Sequence, residues 1–197
     1  LETLTECDSL TWAVNGVTYY TSGTYYDSTL TNNNCDSVYQ LDLTINTPPS
    51  LDLGVDTTLI CAGISETLDA GTGFTSYLWS DGSNNQTLDV TTAGTFKVTG
   101  TDANGCSASD SMVIDVLTVA ITQNDTTICE GDSIVLFSNV SQTYLSGTPN
   151  YNYNWSPTLE TSSSILVNPA TTTTYTSFVT SGTTICQDGV VITVNQR

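Results

Sequence analysis

Six cysteines, Cys7, Cys35, Cys61, Cys106, Cys129 and Cys186, are the residues of this chain best suited to chemistry. They fall two to each of three successive stretches, Cys7 with Cys35, Cys61 with Cys106, and Cys129 with Cys186. Among the connectivities open to an even set, this distribution favours one disulfide within each stretch. Six reduced, buried thiols are the alternative, disfavoured by the secreted look of the rest of the chain. A zinc site fits worse still, because no cysteine pair has ligand spacing and the chain has no histidine.

Catalytic chemistry has little to stand on. Without histidine, and with the cysteines oxidised, neither a Ser-His nor a Cys-His nucleophile can be assembled. Lys97 is the only lysine, and the alternation of TFKVTGT makes it a solvated strand residue. Counting alone does not remove an acid pair of the glycosidase kind, but short sandwiches offer no deep cleft for one. The expectation is a protein that is not an enzyme. Oxygen ligands are more plentiful. Asp81, Ser83 and Asn85 alternate in one turn, and Asp52 and Asp56 flank the start of a strand; no cofactor is expected, with calcium the one ion these residues could suit. Neither group has the closing bidentate Glu of a full calcium loop, and turn formation explains the same Asp and Asn residues.

The elements that hold these residues are strands. Only 11% of the residues are charged, and Thr, Ser, Asn and Gly carry solubility, a composition that favours extended chain and turns over helix. Lys and Arg number 2 against 20 Asp and Glu, a net charge of -18, which excludes binding to phosphate backbones and disfavours anionic membranes. No apolar run approaches the roughly 20 residues that span a bilayer, so no membrane insertion is expected.

Residues 1–46 read as a small β-hairpin module. CDSLTWAV runs into Asn15-Gly16, a dipeptide suited to a two-residue hairpin turn, and VTYY returns; TSGTYYDSTL and CDSVYQLDLTI follow as strands. Alternation puts Tyr39, Leu41, Leu43 and Ile45 on one face of the last strand and Val38, Gln40 and Asp42 on the other. Residues 47–50 are a Pro-rich, semi-rigid linker. Residues 51–117 show strands every eight to twelve residues, the sign of a two-sheet sandwich. Residues 118–197 repeat that plan: DTTICEGDSIVL matches DTTLICAGISETL, NWSP matches LWSD, and a long loop, NVSQTYLSGTPNYNY, is added. The fold class is therefore all-β, a tandem array of three small disulfide-stapled modules. Trp12, Trp79 and Trp155, one per module, are core anchors. Tyr19, Tyr20, Tyr25, Tyr26 and Tyr39 crowd the first module, and Tyr144, Tyr151 and Tyr153 lie in or beside the long loop; some must reach the surface, as strand filler or as stacking platforms for sugars. The chain opens on LETLTECDSL with no initiator Met or signal peptide, which reads as a mature product or a piece of a longer array.

DTTLICAG, DTTICEGDS, YLWSDGSNNQTLDV, TTAGTFKVTGTDANGCSASDS and NWSPTLE with NPATTTTYT resemble the PKD-like and immunoglobulin-like repeats of large secreted surface proteins of Bacteroidota, including gliding-motility-associated adhesins of the type IX secretion system. TECDSLTW, NGVTYYTSGTYYDS and CDSVYQLDLTI resemble another repeat of the same proteins. The resemblance implies immunoglobulin-like or PKD-like sandwiches in the second and third modules, and a secreted, extracellular or cell-surface location. It also implies O-glycans at Asp-Ser/Thr pairs, here Ser9, Ser28, Ser37, Thr57, Ser111, Thr126 and Ser133. Three roles are the expectations: a non-enzymatic stalk, spacer or adhesive repeat of a secreted surface protein, the subunit of an extracellular filament assembled by packing or strand exchange between chains, or a carbohydrate-binding module. The corresponding partners are neighbouring repeats, other copies of the chain, or surface glycans.

Overall fold

The structure, a computed structural model, describes residues 1–30, 36–143 and 150–196. Every regular element among the described residues is a strand, so the chain is all-β. The first stretch holds β1 (Glu2–Cys7), β2 (Leu10–Thr11), β3 (Thr18–Tyr19), β4 (Gly23–Leu30) and β5 (Asp36–Asn46). Next come β6 (Thr57–Cys61), β7 (Glu66–Asp69), β8 (Ser76–Trp79), β9 (Thr87–Val90), β10 (Gly94–Thr101) and β11 (Ser107–Ile121). The last are β12 (Thr126–Cys129), β13 (Ile134–Thr143), β14 (Asn152–Ser156), β15 (Ser164–Val167), β16 (Thr173–Ser181) and β17 (Thr184–Asn195).

The chain forms two compact units. One comprises Leu1–Leu53, Asp69–Leu88 and Lys97–Ser111, the other Gly54–Leu68, Asp89–Phe96 and Met112–Arg197. In the first unit β5 lies between β4, antiparallel to it, and β1, parallel to it. The period-two alternation of β5 turns Leu41 and Leu43 inward, where Leu4, Tyr25 and the indole of Trp12 cover them. The buried Trp12 ring keeps its polar edge satisfied by donating from Nε1 to Glu2 Oε2 at 2.8 Å. Tyr25 also stacks on Tyr19 with ring centroids 4.0 Å apart. The turn at Asn15-Gly16 is longer than the two residues expected. Trp12 N donates to Val17 O and Gly16 N to Trp12 O, so residues 13–16 form the loop, with Gly16 at φ 70. Val14, within this loop, packs on the same core as Trp12. Elsewhere in the unit, Trp79 of β8 stands opposite Val98 of β10, and both are buried.

The second unit contains a sandwich. β13 pairs with β15 on one side and with the end of β11 on the other; the facing sheet runs β12-β17-β16-β14. Leu136, Ile165, Val167 and Ile121 from the first sheet meet Trp155, Tyr175, Val190 and Ile192 from the second. Seven strands divided in this way, with the first strand split between the sheets as β11 and β12, give the immunoglobulin-like arrangement. A buried hydroxyl pair crosses the core, Ser177 Oγ donating to Ser138 Oγ at 2.7 Å.

One feature recurs three times. A short strand runs parallel to the closing strand of its stretch and ends on a cysteine: β1 on β5, β6 on β11, β12 on β17. Cys7, Cys61 and Cys129 stand opposite Asn46, Leu117 and Asn195.

Candidate functional site

That parallel pairing decides the cysteine chemistry. Cys61 lies beside Leu117, near the far end of β11, whereas Cys106 precedes the start of that strand. Eleven residues of extended strand separate the two levels by roughly 36 Å, against the ~4.4–6.8 Å between Cα atoms that a disulfide tolerates. Cys129, opposite Asn195, is set apart from Cys186 on β17 in the same way. The pairing within each stretch expected from the cysteine count therefore does not form. Cys7 bonds to Cys106 and Cys61 to Cys186, with Cα–Cα distances of 5.6 and 5.5 Å. The first bridge lies in the first unit and the second in the second unit. Cys129 is exposed and free, and Cys35 lies outside the described residues.

Each bridge joins a cysteine at the end of a short parallel strand to one beside the hairpin turn between a pair of closing strands. Cys106 follows the turn between β10 and β11, and the Asp102 carboxylate fixes it by accepting from both Asn104 N and Cys106 N at 2.8 Å. Cys186 stands near the start of β17, just past the β16–β17 turn, where Thr184 Oγ1 donates to Leu59 O of β6 at 3.1 Å. Both hairpin cysteines are buried. Sequence reasoning missed Asp102 and Thr184, although the spacing Asp-Ala-Asn-Gly-Cys at 102–106 is a readable turn signal.

Of the expected calcium ligands, the Asp81 carboxylate and the main-chain oxygens of Asn85 and Asp56 accept hydrogen bonds within the chain, and the Ser83 hydroxyl is buried without a hydrogen-bond partner among the described residues. Asp81 Oδ1 accepts from Ser83 N at 2.9 Å, and that amide holds the Asp81 carboxyl below its usual range. Asn85 O accepts from the Trp79 indole at 2.8 Å. Asp56 O accepts from Val113 N, and Asp52 is exposed. Among the described residues no three His, Cys, Asp or Glu side chains gather as a metal site. An open polar cleft of about 420 Å³ is lined by Gln123, Asn124, Asp125 and Asp188. Its carboxylates serve the backbone: Asp188 accepts from Ile121 N and Gly189 N, and Asp125 from Val191 N.

Of the expected glycan acceptors, Ser28, Thr57, Ser111 and Ser133 are exposed and Ser9, Ser37 and Thr126 half-buried. The three tryptophans are all core residues, each at most 2% exposed. Trp155 repeats the hydrogen bond of Trp79, its indole donating to Ser162 O. The tyrosines divide. Tyr19 and Tyr25 pack on the first core, Tyr20, Tyr26 and Tyr39 are exposed, Tyr151 and Tyr153 are half-buried, and Tyr144 lies outside the described residues. Lys97 is exposed, as its strand alternation requires.

No protein-family model matches the chain, and no curated protein does. Solved structures of immunoglobulin tandems are similar at low identity. The titin I-band fragment I67–I69 matches with TM-score 0.39 and 12% identity, covering 98% of this chain and 96% of that one. Extracellular domains 3–5 of Drosophila OTK match with TM-score 0.37 and 11% identity, covering 95% and 78%. The N-terminal four Ig domains of Dscam1 isoform 8.4 match with TM-score 0.33 and 11% identity; the alignment covers 82% of this chain and 52% of the Dscam1 fragment, about half its length.

Proposed function

We propose that the chain is a non-enzymatic structural segment, a stalk or spacer, of a secreted bacterial surface protein, built from three successive β modules at 1–46, 51–117 and 118–197. The observation that carries this reading is the bridge pattern. Cys7–Cys106 ties the first stretch to the second and Cys61–Cys186 ties the second to the third, so the covalent loops overlap. Overlapping loops limit how far the chain can lengthen under load, a property suited to a tether. Disulfides also fit an oxidising, extracellular setting, and exposed Ser28, Thr57, Ser111 and Ser133 leave acceptors free for O-glycans there.

One observation favours a filament subunit as the second reading. Val135 and Phe137 of β13 and Leu166 of the edge strand β15 are exposed, and Val135 and Leu166 are cross-strand partners. An open edge beside an apolar face suits packing of a second copy. Light scattering and negative-stain imaging of the Cys129→Ser protein at high concentration test the choice. Monomeric rods or beads support the stalk; ordered fibres of constant width replace it with the filament subunit.

A further inference from the structure

We propose that Cys129 is the outgoing half of a covalent link between repeats, and that it forms a disulfide with a cysteine beside the closing hairpin turn of a further module of this kind. The inference deepens the stalk reading and rests on it. Its basis is the identity of three local structures. Cys7, Cys61 and Cys129 are each the last residue of a short strand parallel to a closing strand. In each case the next residue's amide continues the ladder: Asp8 N donates to Asn46 O at 3.0 Å, Ala62 N to Leu117 O at 2.8 Å and Glu130 N to Asn195 O at 3.0 Å.

The match between Cys61 and Cys129 goes further. Both open a turn of the form Cys-x-Gly-x, in which the cysteine carbonyl accepts from the amide three residues on, Ile64 N or Asp132 N, each at 3.0 Å. Both turns use a glycine in the left-handed region, Gly63 at φ 81 and Gly131 at φ 87, a conformation that L side chains rarely adopt. The same scaffold therefore presents both thiols. Two of the three positions are bridged, and in both the partner lies at a hairpin turn of the following stretch: Cys106 for Cys7 and Cys186 for Cys61. The third thiol is exposed and has no disulfide. The rule that places the first two bonds assigns its partner: a cysteine at the equivalent turn of a module following in the same array, or in a second copy of the chain.

The bond forms by thiol–disulfide exchange. Cys129 and the incoming cysteine together lose two protons and two electrons to a disulfide oxidant, such as oxidised glutathione or an oxidoreductase disulfide, which leaves as two thiols.

The test uses the whole 197-residue chain in a glutathione redox buffer, with a second copy as the probe. In sequence, the counterpart of Cys106 and Cys186 in the first stretch is Cys35, which lies between β4 and β5 and outside the described residues. A ladder of disulfide-linked oligomers is expected on non-reducing gels, with Cys129–Cys35 cross-linked peptides by mass spectrometry. The ladder should vanish in Cys129→Ser and in Cys35→Ser, while both variants keep Cys7–Cys106 and Cys61–Cys186, which shows that they fold. Symmetric Cys129–Cys129 dimers or an intramolecular Cys35–Cys129 bond would overturn the proposal, as would Cys129 found as a thiol or capped by glutathione both in this chain and in unreduced material from the natural source. In unreduced material from the natural source, a Cys129 peptide joined to Cys35 identifies a second copy, and one joined to a later sequence identifies a following module; either supports the rule, and a free thiol there refutes it. If Cys129→Ser gives monomeric rods while neither the wild-type chain nor the natural material shows a Cys129 link of this kind, this link fails and the stalk reading stands. Fibres from Cys129→Ser would remove the stalk reading instead.

Discussion

Overlapping bridges make a quantitative prediction about force. When the chain is pulled by its termini, the shortest covalent path crosses from Cys7 to Cys106, runs backwards along the chain to Cys61, and crosses again to Cys186. Only the stretches 1–7, 61–106 and 186–197 lie on it, so full unfolding yields a contour of about 230 Å at ~3.5 Å per residue, with the two bridges included. Reduction opens the whole chain to about 690 Å. The measurement is single-molecule extension by optical tweezers or atomic force microscopy, made on Cys35→Ser/Cys129→Ser protein so that no other disulfide contributes. The double variant also separates the observed connectivity from pairing within stretches. Pairing within stretches would leave it only Cys61–Cys106, and the contour would rise to about 530 Å without reductant. A value near 530 Å, or one unchanged by reductant, would refute the bridge pattern and with it the mechanical argument.

Three further outcomes test local packing. A Cβ on Gly100 would sit 2.6 Å from Phe74 Cδ1, whose ring packs edge-on to Tyr77, so Gly100→Ala should cost ~1–3 kcal/mol. Urea denaturation should show that penalty shrinking in a Phe74→Ala background, and strict additivity would contradict the clash. Ser138→Ala removes the acceptor of a buried Ser177 hydroxyl and should cost ~1–3 kcal/mol, with Ser138→Ala/Ser177→Ala costing less than the single change in the same denaturation assay. Hydrogen bonds from the Gln86 side chain and the Gly71 amide hold the Asp69 carboxyl below its ordinary 3.8. Because the folded value is the lower one, whatever stability these bonds supply is present above 3.8 and lost as pH falls through the folded value. An NMR titration should place the midpoint below 3.8, and Gln86→Ala should raise it.

Much of the fold was legible because strands announce themselves locally. The alternation around Leu41 and Leu43 and the glycine turn at Gly105 are short-range signals, and the structure follows them; at Asn15-Gly16 the chain does turn, but through residues 13–16 and not through two residues. The tryptophans were legible for a related reason: an indole in mid-strand has few places to go, and Trp79 and Trp155 both find a carbonyl six or seven residues on. Sequence also showed Asp81, Ser83 and Asn85 spaced like ligands, but the same spacing serves an Asp81 turn closed by Ser83 N. Residue type and interval cannot separate those uses, since both draw on side-chain oxygens of Asp, Asn and Ser closely spaced in a turn.

The cysteines failed to read correctly for a different reason, and the reason carries a consequence. Two cysteines in one stretch look like partners only if the strands between them bring their levels together, and that depends on a long-range choice: whether the first strand lies parallel or antiparallel to the last. In all three stretches it is parallel. Parallel placement sends the first cysteine to the end of the closing strand remote from the hairpin turn, so within a stretch the pair cannot meet. A single register choice thus converts three closed loops into overlapping ones. It also means that a stretch with both cysteine positions has one facing its predecessor and one facing its successor. Under the proposed link, repetition of the motif and continuity of the covalent path would be the same property: a further module with this strand order would extend the path through Cys129 without a change to the existing bridges.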